Sequence, residues 1–291
     1  MRTFCLIFFI LLPFASFTQS LDAKRIDRIK NATVRIITDY GTGTGFFVNN
    51  KGLLLTCWHV VDSSFRNGKS IIIQMRNGDT AHYGFLSSYF NDTNFVNNSI
   101  AYDFCFLAPF VSQKNSNTFL KVGNYADGKE GDEVYTCGYP LGSSIQFVSK
   151  GLISTLYTND KNFINTITGI QSKPRDEALL DLTINKGNSG GAIIKKGVTI
   201  DDDLVIGIVD FIINPLANYA DSLTNNFSKT KDMGSISFGF YDPTKPSKND
   251  ISYDPFQVGT FFSTAISIMP TGVSGCVSID YPNSAYIKLK P

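Results

Sequence analysis

Short apolar runs, broken again and again by turn chemistry, fill most of the chain and restrict it to a fold of many short strands. Residues 34–37, 45–49, 53–56, 70–75 and 104–108 are rich in β-branched, aromatic and aliphatic side chains. Those types fit a pleated, half-buried surface. Asn50-Lys51-Gly52 and Asn77-Gly78-Asp79 supply turns between them. A loop at 112–118 leads to a second set at 133–138, 145–154, 179–182, 192–195 and 205–209. Helical periodicity is confined to 22–31 and a stretch near the C-terminus. The pattern predicts an all-β protein, a sandwich or barrels. Residues 214 to about 258 break the rhythm: they are polar and rich in Asn, Asp, Ser, Lys and Pro. They read as an insertion ahead of a late strand at 260–268.

Composition agrees with a large core. Hydrophobic residues make up 43% of the 291 and charged residues 18%. The net charge is +1 with no charge run, which gives no electrostatic footprint for nucleic acid. Arg2 precedes an apolar run at 5–12, and small and polar residues follow at 13–20. The run is far shorter than the roughly 20 residues of a membrane span. Residues 1–20 therefore read as a cleaved signal peptide, which makes the protein secreted or periplasmic with no stable membrane insertion. Cys57, Cys105, Cys137 and Cys276 remain, the first three inside strand-like runs. There a cysteine serves as a small buried hydrophobe, so free thiols are expected over disulfides. Zinc spacing is absent, and neither a metal nor another cofactor is expected.

The sharpest local feature is Gly187-Asn188-Ser189-Gly190-Gly191. A serine hydroxyl needs an adjacent base to act as a nucleophile. Glycines around it let backbone N–H groups converge where the oxyanion of a tetrahedral intermediate would sit. The same pentapeptide fits the nucleophile elbow of α/β-hydrolases, which places its histidine after the serine. Both histidines here, His59 and His82, precede Ser189, so that chain order is excluded. His59 ends an apolar strand-like run and opens a turn, where a base could face a cleft. Asp103 stands before the apolar run 104–107, and an acid there needs a partner such as an imidazole N–H. The order His59, Asp103, Ser189 is that of chymotrypsin, not of subtilisin. It puts base and acid in the first strand set and nucleophile in the second.

These segments resemble the trypsin-like peptidases of the HtrA/Deg type. Residues 41–48 resemble that family's G-S-G-F strand, 55–61 its L-T-N-x-H-V-V, and 103–107 its D-L-A-L-L. Residues 138–142 resemble G-N-P-F-G, 181–191 resemble D-A-A-I-N-P-G-N-S-G-G, and 205–208 resemble V-I-G-I. Lys186 and Ala192 depart from it where prolines are usual. The resemblance implies two six-stranded antiparallel β-barrels with the active site in the cleft between them. The first would span about 28–115 and the second about 118–275, within a peptidase domain 21–291 and without a following PDZ domain. It also implies His59, Asp103 and Ser189 as catalytic residues and the N–H groups of Gly187 and Ser189 as the oxyanion hole. Thr183, Ile208, Val209 and Asp210 would bind substrate, with Thr183 and Val209 walling the side-chain pocket. Protein or peptide substrates would be the partners. A catalytically silent homologue that binds peptides in the same cleft is the alternative.

Overall fold

The computed structural model describes residues 12–85, 93–111, 118–160, 173–212, 236–239, 250–253, 260–261 and 273–289. Helix α1 (Leu12–Ala32) opens it. Arg25, Ile29 and Ala32 recur at helical spacing and are all buried. A buried Arg needs partners. Arg25 Nε donates to Asp203 at 2.8 Å and its Nη1 donates to Asp22 at 2.9 Å.

Strands β1 (Thr33–Thr38), β2 (Gly41–Phe47), β3 (Leu54–Thr56), β4 (Ile71–Gln74), β5 (Thr80–Phe85) and β6 (Cys105–Pro109) close into one antiparallel barrel. Its order is β1-β2-β3-β6-β5-β4. Helix α2 (Trp58–Arg66) leaves β3, and α3 (Thr93–Ala101) precedes β6. The register β1 to β2 pairs Ile36 with Gly43 and Val34 with Gly45. Alternation then sends Val34, Ile36, Leu54, Ile71, Ile73 and Leu107 into one core.

Strands β7 (Glu133–Gly138), β8 (Phe147–Asn159), β9 (Arg175–Leu180), β10 (Ala192–Lys195), β11 (Leu204–Ile212) and β14 (Ser274–Ser278) close the second barrel. Its order, β7-β8-β9-β14-β11-β10, repeats that of the first. Helix α4 (Asp280–Leu289) follows β14. The two-barrel expectation holds. The strand that closes the second barrel after β11 is β14. Of the apolar run at 260–268 only Thr260 and Phe261 are described, and they are helical. β14 was hard to read because it is made of small residues. Gly275 faces the Phe211 ring so closely that any Cβ would collide with it.

Ile213–Thr271 forms a compact unit of its own. Its described residues include a two-stranded antiparallel sheet, β12 (Ile236–Gly239) with β13 (Asp250–Tyr253). Cys57, Cys105, Cys137 and Cys276 are all buried free thiols. Among the described residues no helix is long and apolar enough to cross a membrane.

Candidate active site

His59 lies in the first turn of α2, where the sequence suggested only a turn. The Val60-Val61 pair hid the helix, since β-branched residues favour strands. Cys57, at the N-cap, makes no capping bond. Asp103 does that work from a distance: its Oδ1 accepts the His59 backbone N–H at 2.9 Å. Its Oδ2 lies 2.7 Å from His59 Nδ1. One carboxylate thus fixes both the position and the orientation of the ring. Gly43 completes the support, because a Cβ there would lie 2.5 Å from Val60 Cγ1.

Asp103 pays for its aim in backbone strain. Its φ of 54° is left-handed, which Asp tolerates better than most residues. It follows α3, and the Phe104 N–H bonds back to Ser99 O at 3.0 Å, a helix ending that usually recruits Gly or Asn.

Ser189 arrives from the second barrel. Three carbonyls in its loop are held by protein donors. Leu141 N–H binds Lys186 O at 2.6 Å, Thr44 Oγ1 binds Gly187 O at 2.7 Å, and Thr44 N–H binds Ser189 O at 2.9 Å. The N–H groups of Gly187 and Ser189 have no acceptor among the described residues. Gly187 has φ 98°, and a Cβ there would collide with Tyr139 O. Glycine is needed at that position. His59, Gly187, Ser189, Lys186, Tyr40 and Thr42 line one cavity of about 260 Å³. Among the described residues the Ser189 hydroxyl makes no hydrogen bond to the His59 ring, although both face this cavity.

The expected substrate residues separate. Thr183 is exposed. Ile208 and Val209 are buried in the barrel cores, so Val209 cannot wall a pocket with its side chain. Their backbone is also taken. Ile208 pairs with Ala192 on one side and Val277 on the other. Val209 N–H binds Gly191 O at 2.8 Å, and Gly190 N–H binds Val209 O at 2.9 Å. β10 ends there, so β11 has no β10 partner from Asp210 to Ile212. Asp210 falls in a register shift between Val209 and Phe211, an irregularity of the kind that often borders active sites. Its Oδ1 lies 3.8 Å from His59 Nδ1, and Arg175 Nη2 donates to its Oδ2 at 2.6 Å.

Arg175 also binds Glu177, which is 1% exposed and accepts from Tyr157 OH at 2.6 Å and Asn159 Nδ2 at 3.1 Å. Sequence reasoning missed Arg175 and Glu177. The available signal was a set of charges in β9, a strand whose far end is apolar. Asp210 had a similar signal, a lone acid inside the run 205–212.

The electrostatics follow from this crowding. The Asp103 charge holds the His59 imidazole well above its ordinary pKa, against the opposing effect of burial. Burial alone would push the Asp103 carboxyl up, but the charge and hydrogen bonds of His59 hold it well below the carboxylate range. Burial first, and then the Asp103 charge, push Asp210 well up. Cys57 is pushed far up by burial and by the same two acids, and its thiol donates to Val209 O at 3.2 Å. It is a protonated thiol and not a thiolate nucleophile. Cys57, His59, Asp103 and Asp210 place one polar atom each within 4.8 Å of one another. A cation there would have to displace the His59–Asp103 bond and the Cys57 proton, so the donor set suits proton sharing better than a metal.

A base held by a buried acid, with a serine in a glycine loop on the same cavity, on paired six-stranded barrels, defines the trypsin-like class. The trypsin-like peptidase domain profile matches residues 43–200, more than half of the chain, and the chain belongs to that family. Its curated relatives include serine protease HTRA3 of Mus musculus, 27% identical over 169 residues, which are 57% of this chain and 32% of that protein. Serine protease HTRA4 of Homo sapiens is 30% identical over 175 residues, 60% of this chain and 31% of that one. The matched stretch thus spans about a third of these relatives' length. The Rv3671c protease of M. tuberculosis, in its active form, shares the fold. Its TM-score is 0.50 at 18% identity, covering 67% of this chain and 76% of that one.

Proposed function

We propose that the chain is an exported serine endopeptidase working through Ser189, His59 and Asp103. The observation that carries this is the doubly bonded His59–Asp103 pair facing the cavity that Ser189 and Gly187 also line. In this reading His59 takes the Ser189 proton as the hydroxyl attacks a peptide carbonyl. Asp103 keeps the ring in the correct tautomer and stabilises the imidazolium. The N–H groups of Gly187 and Ser189 receive the oxyanion, each worth about 3 kcal/mol in comparable enzymes. The gap between Ser189 and His59 does not count against this, because such bonds tighten when substrate binds.

The substrate backbone adds to β11 from Asp210 to Ile212, on the side where no described strand pairs with it, as an extended peptide adds to a sheet. Thr183, exposed ahead of the Ser189 loop, walls the pocket on the acyl side of the scissile bond. On the leaving-group side the substrate meets Lys186 and Tyr40. Export rests on residues 1–20 acting as a signal peptide. A cut there leaves Arg25 on the helix to hold Asp203.

A fluorophosphonate probe tests the enzyme reading. We expect stoichiometric labelling of the mature protein and none of Ser189→Ala. Absence of labelling in the former across pH would overturn catalysis and leave the peptide-binding alternative.

A further inference from the structure

Two carboxylates crowd one imidazole here, and the triad uses only the first. The second, on Asp210, is 10% exposed and faces charged or titratable groups from every described element around it. Cys57 and His59 approach from the start of α2, Asp103 from the turn before β6, Arg175 from β9 and Cys276 from β14. Asp62, further along α2, acts on His59. Beyond Arg175 stands Glu177, also buried and also acidic. With His59 neutral, three acids would face a single guanidinium. Two like charges this close in a poorly solvated site do not both ionise freely. A proton must therefore reside on the Asp103–Asp210 pair or on His59.

We propose that Asp210 is a positioning residue for the triad, which shares a proton with Asp103 and presents a second carboxylate to His59. The basicity of His59 is then set by the pair together with Arg175, and not by Asp103 alone. This rests on the peptidase reading only for its consequence, since the titration of His59 is a property of the folded site. The geometry supports the assignment independently of any titration. Asp210 sits at the β11 register shift with Oδ1 3.8 Å from His59 Nδ1, and Arg175 holds its other oxygen at 2.6 Å, so the carboxylate is fixed beside the ring. When Asp210 carries the proton, its O–H donates to Asp103 and preserves that carboxylate's aim. When it loses the proton, a second negative charge lies beside the ring and the imidazolium becomes harder to discharge. Both buried acids are shifted in the directions this sharing requires, Asp103 down and Asp210 up.

The test exploits the fact that the chain has only two histidines. In a His82→Gln background, the His59 ring is the sole imidazole signal in an ¹⁵N-resolved NMR titration. Asp210→Asn keeps a donor to Asp103 but removes the second charge. We expect its His59 midpoint to fall by about one pH unit, roughly a tenfold loss of proton affinity. The downfield Nδ1–H signal should persist, showing that the Asp103 bond is intact. Arg175→Gln keeps both acids and removes the cation, so the midpoint should rise. The acid limb of fluorophosphonate labelling should move with the midpoint in each variant. A His59 midpoint unchanged in Asp210→Asn, or one that falls in Arg175→Gln, would overturn the proposal. Loss of labelling in every protein, with the midpoints moving as expected, would instead sink the peptidase reading and spare this one.

Discussion

The two barrels share one strand order but carry different interiors. Barrel one encloses a core of Val34, Ile36, Phe47, Leu54, Ile71, Ile73 and Leu107 around β1 to β6, with no buried charge in that set. Barrel two has apolar packing too, yet Glu177 is buried in β9 beside Arg175, whose second partner is Asp210 on β11. The first barrel contributes His59 and Asp103 at the ends of its elements, outside that core. The second runs a chain of charges up to the site. A shared topology thus fixes where strand ends meet, while side-chain chemistry decides which barrel carries the buried charges.

Catalysis should require both barrels equally. Asp103→Asn, which leaves the shape and spoils the tautomer, should lower peptide hydrolysis by about 10⁴-fold, and Ser189→Ala should lose at least as much. Steady-state kinetics on a peptide library would break the symmetry if either variant kept most activity. The charged interior of barrel two should be costlier to damage than a trimmed side chain in barrel one. Arg175→Ala leaves Asp210 and Glu177 without their cation, and about 3–5 kcal/mol of stability should go. Ile36→Val should cost only about 1 kcal/mol. Urea denaturation of the two variants measures the contrast.

Gly43→Ala probes the support beneath His59. The new methyl must displace Val60, so a loss of about 1–3 kcal/mol is expected, together with slower Ser189 labelling. Equal labelling rates would mean that α2 is positioned by Asp103 alone. The pH dependence is next in size. His59 is raised by Asp103, so the neutral base forms only above its ordinary pKa of about 6.5. Hydrolysis should therefore rise with pH through a value above that point. The stability from this pair has the opposite trend: it is complete below the unfolded His pKa and fades as pH rises through the raised folded one.

The smallest effect lies on the surface of barrel two. Burial alone would raise Glu133, but Lys150 and Lys196 hold it down, to about 2. That stabilisation is present above the unfolded value of about 4.5 and is lost as pH falls towards 2. Glu133→Gln should cost about 1 kcal/mol near neutrality, after allowance for solvent screening, and almost nothing near pH 2. Thermal melts at the two pH values check it.

Much of this architecture was legible from local pattern. Period-two alternation, Gly and Asn turns, and the helix over 22–31 each depend on neighbours in the chain. β7 (Glu133–Gly138) and β10 (Ala192–Lys195) were expected at the residues where they stand. β14 was not, because Gly275 and Ser274 carry no strand signal and gain their place by fitting against Phe211 and the Leu182 carbonyl. The helix at His59 was missed for a related reason: its cap is Asp103, 44 residues away.

The sequence by itself determined the strand-rich class, the order His59, Asp103, Ser189 and the glycine setting of the serine. Those are statements about residue types and chain order, and a chain carries them openly. Only the tertiary structure decided that the Asp210 carboxylate lies against His59, that Arg175 and Glu177 stand behind it, and that Val209 points inward. Each depends on a burial or a charge contact between strands far apart in sequence. The energies involved exist only once water has been excluded from between them.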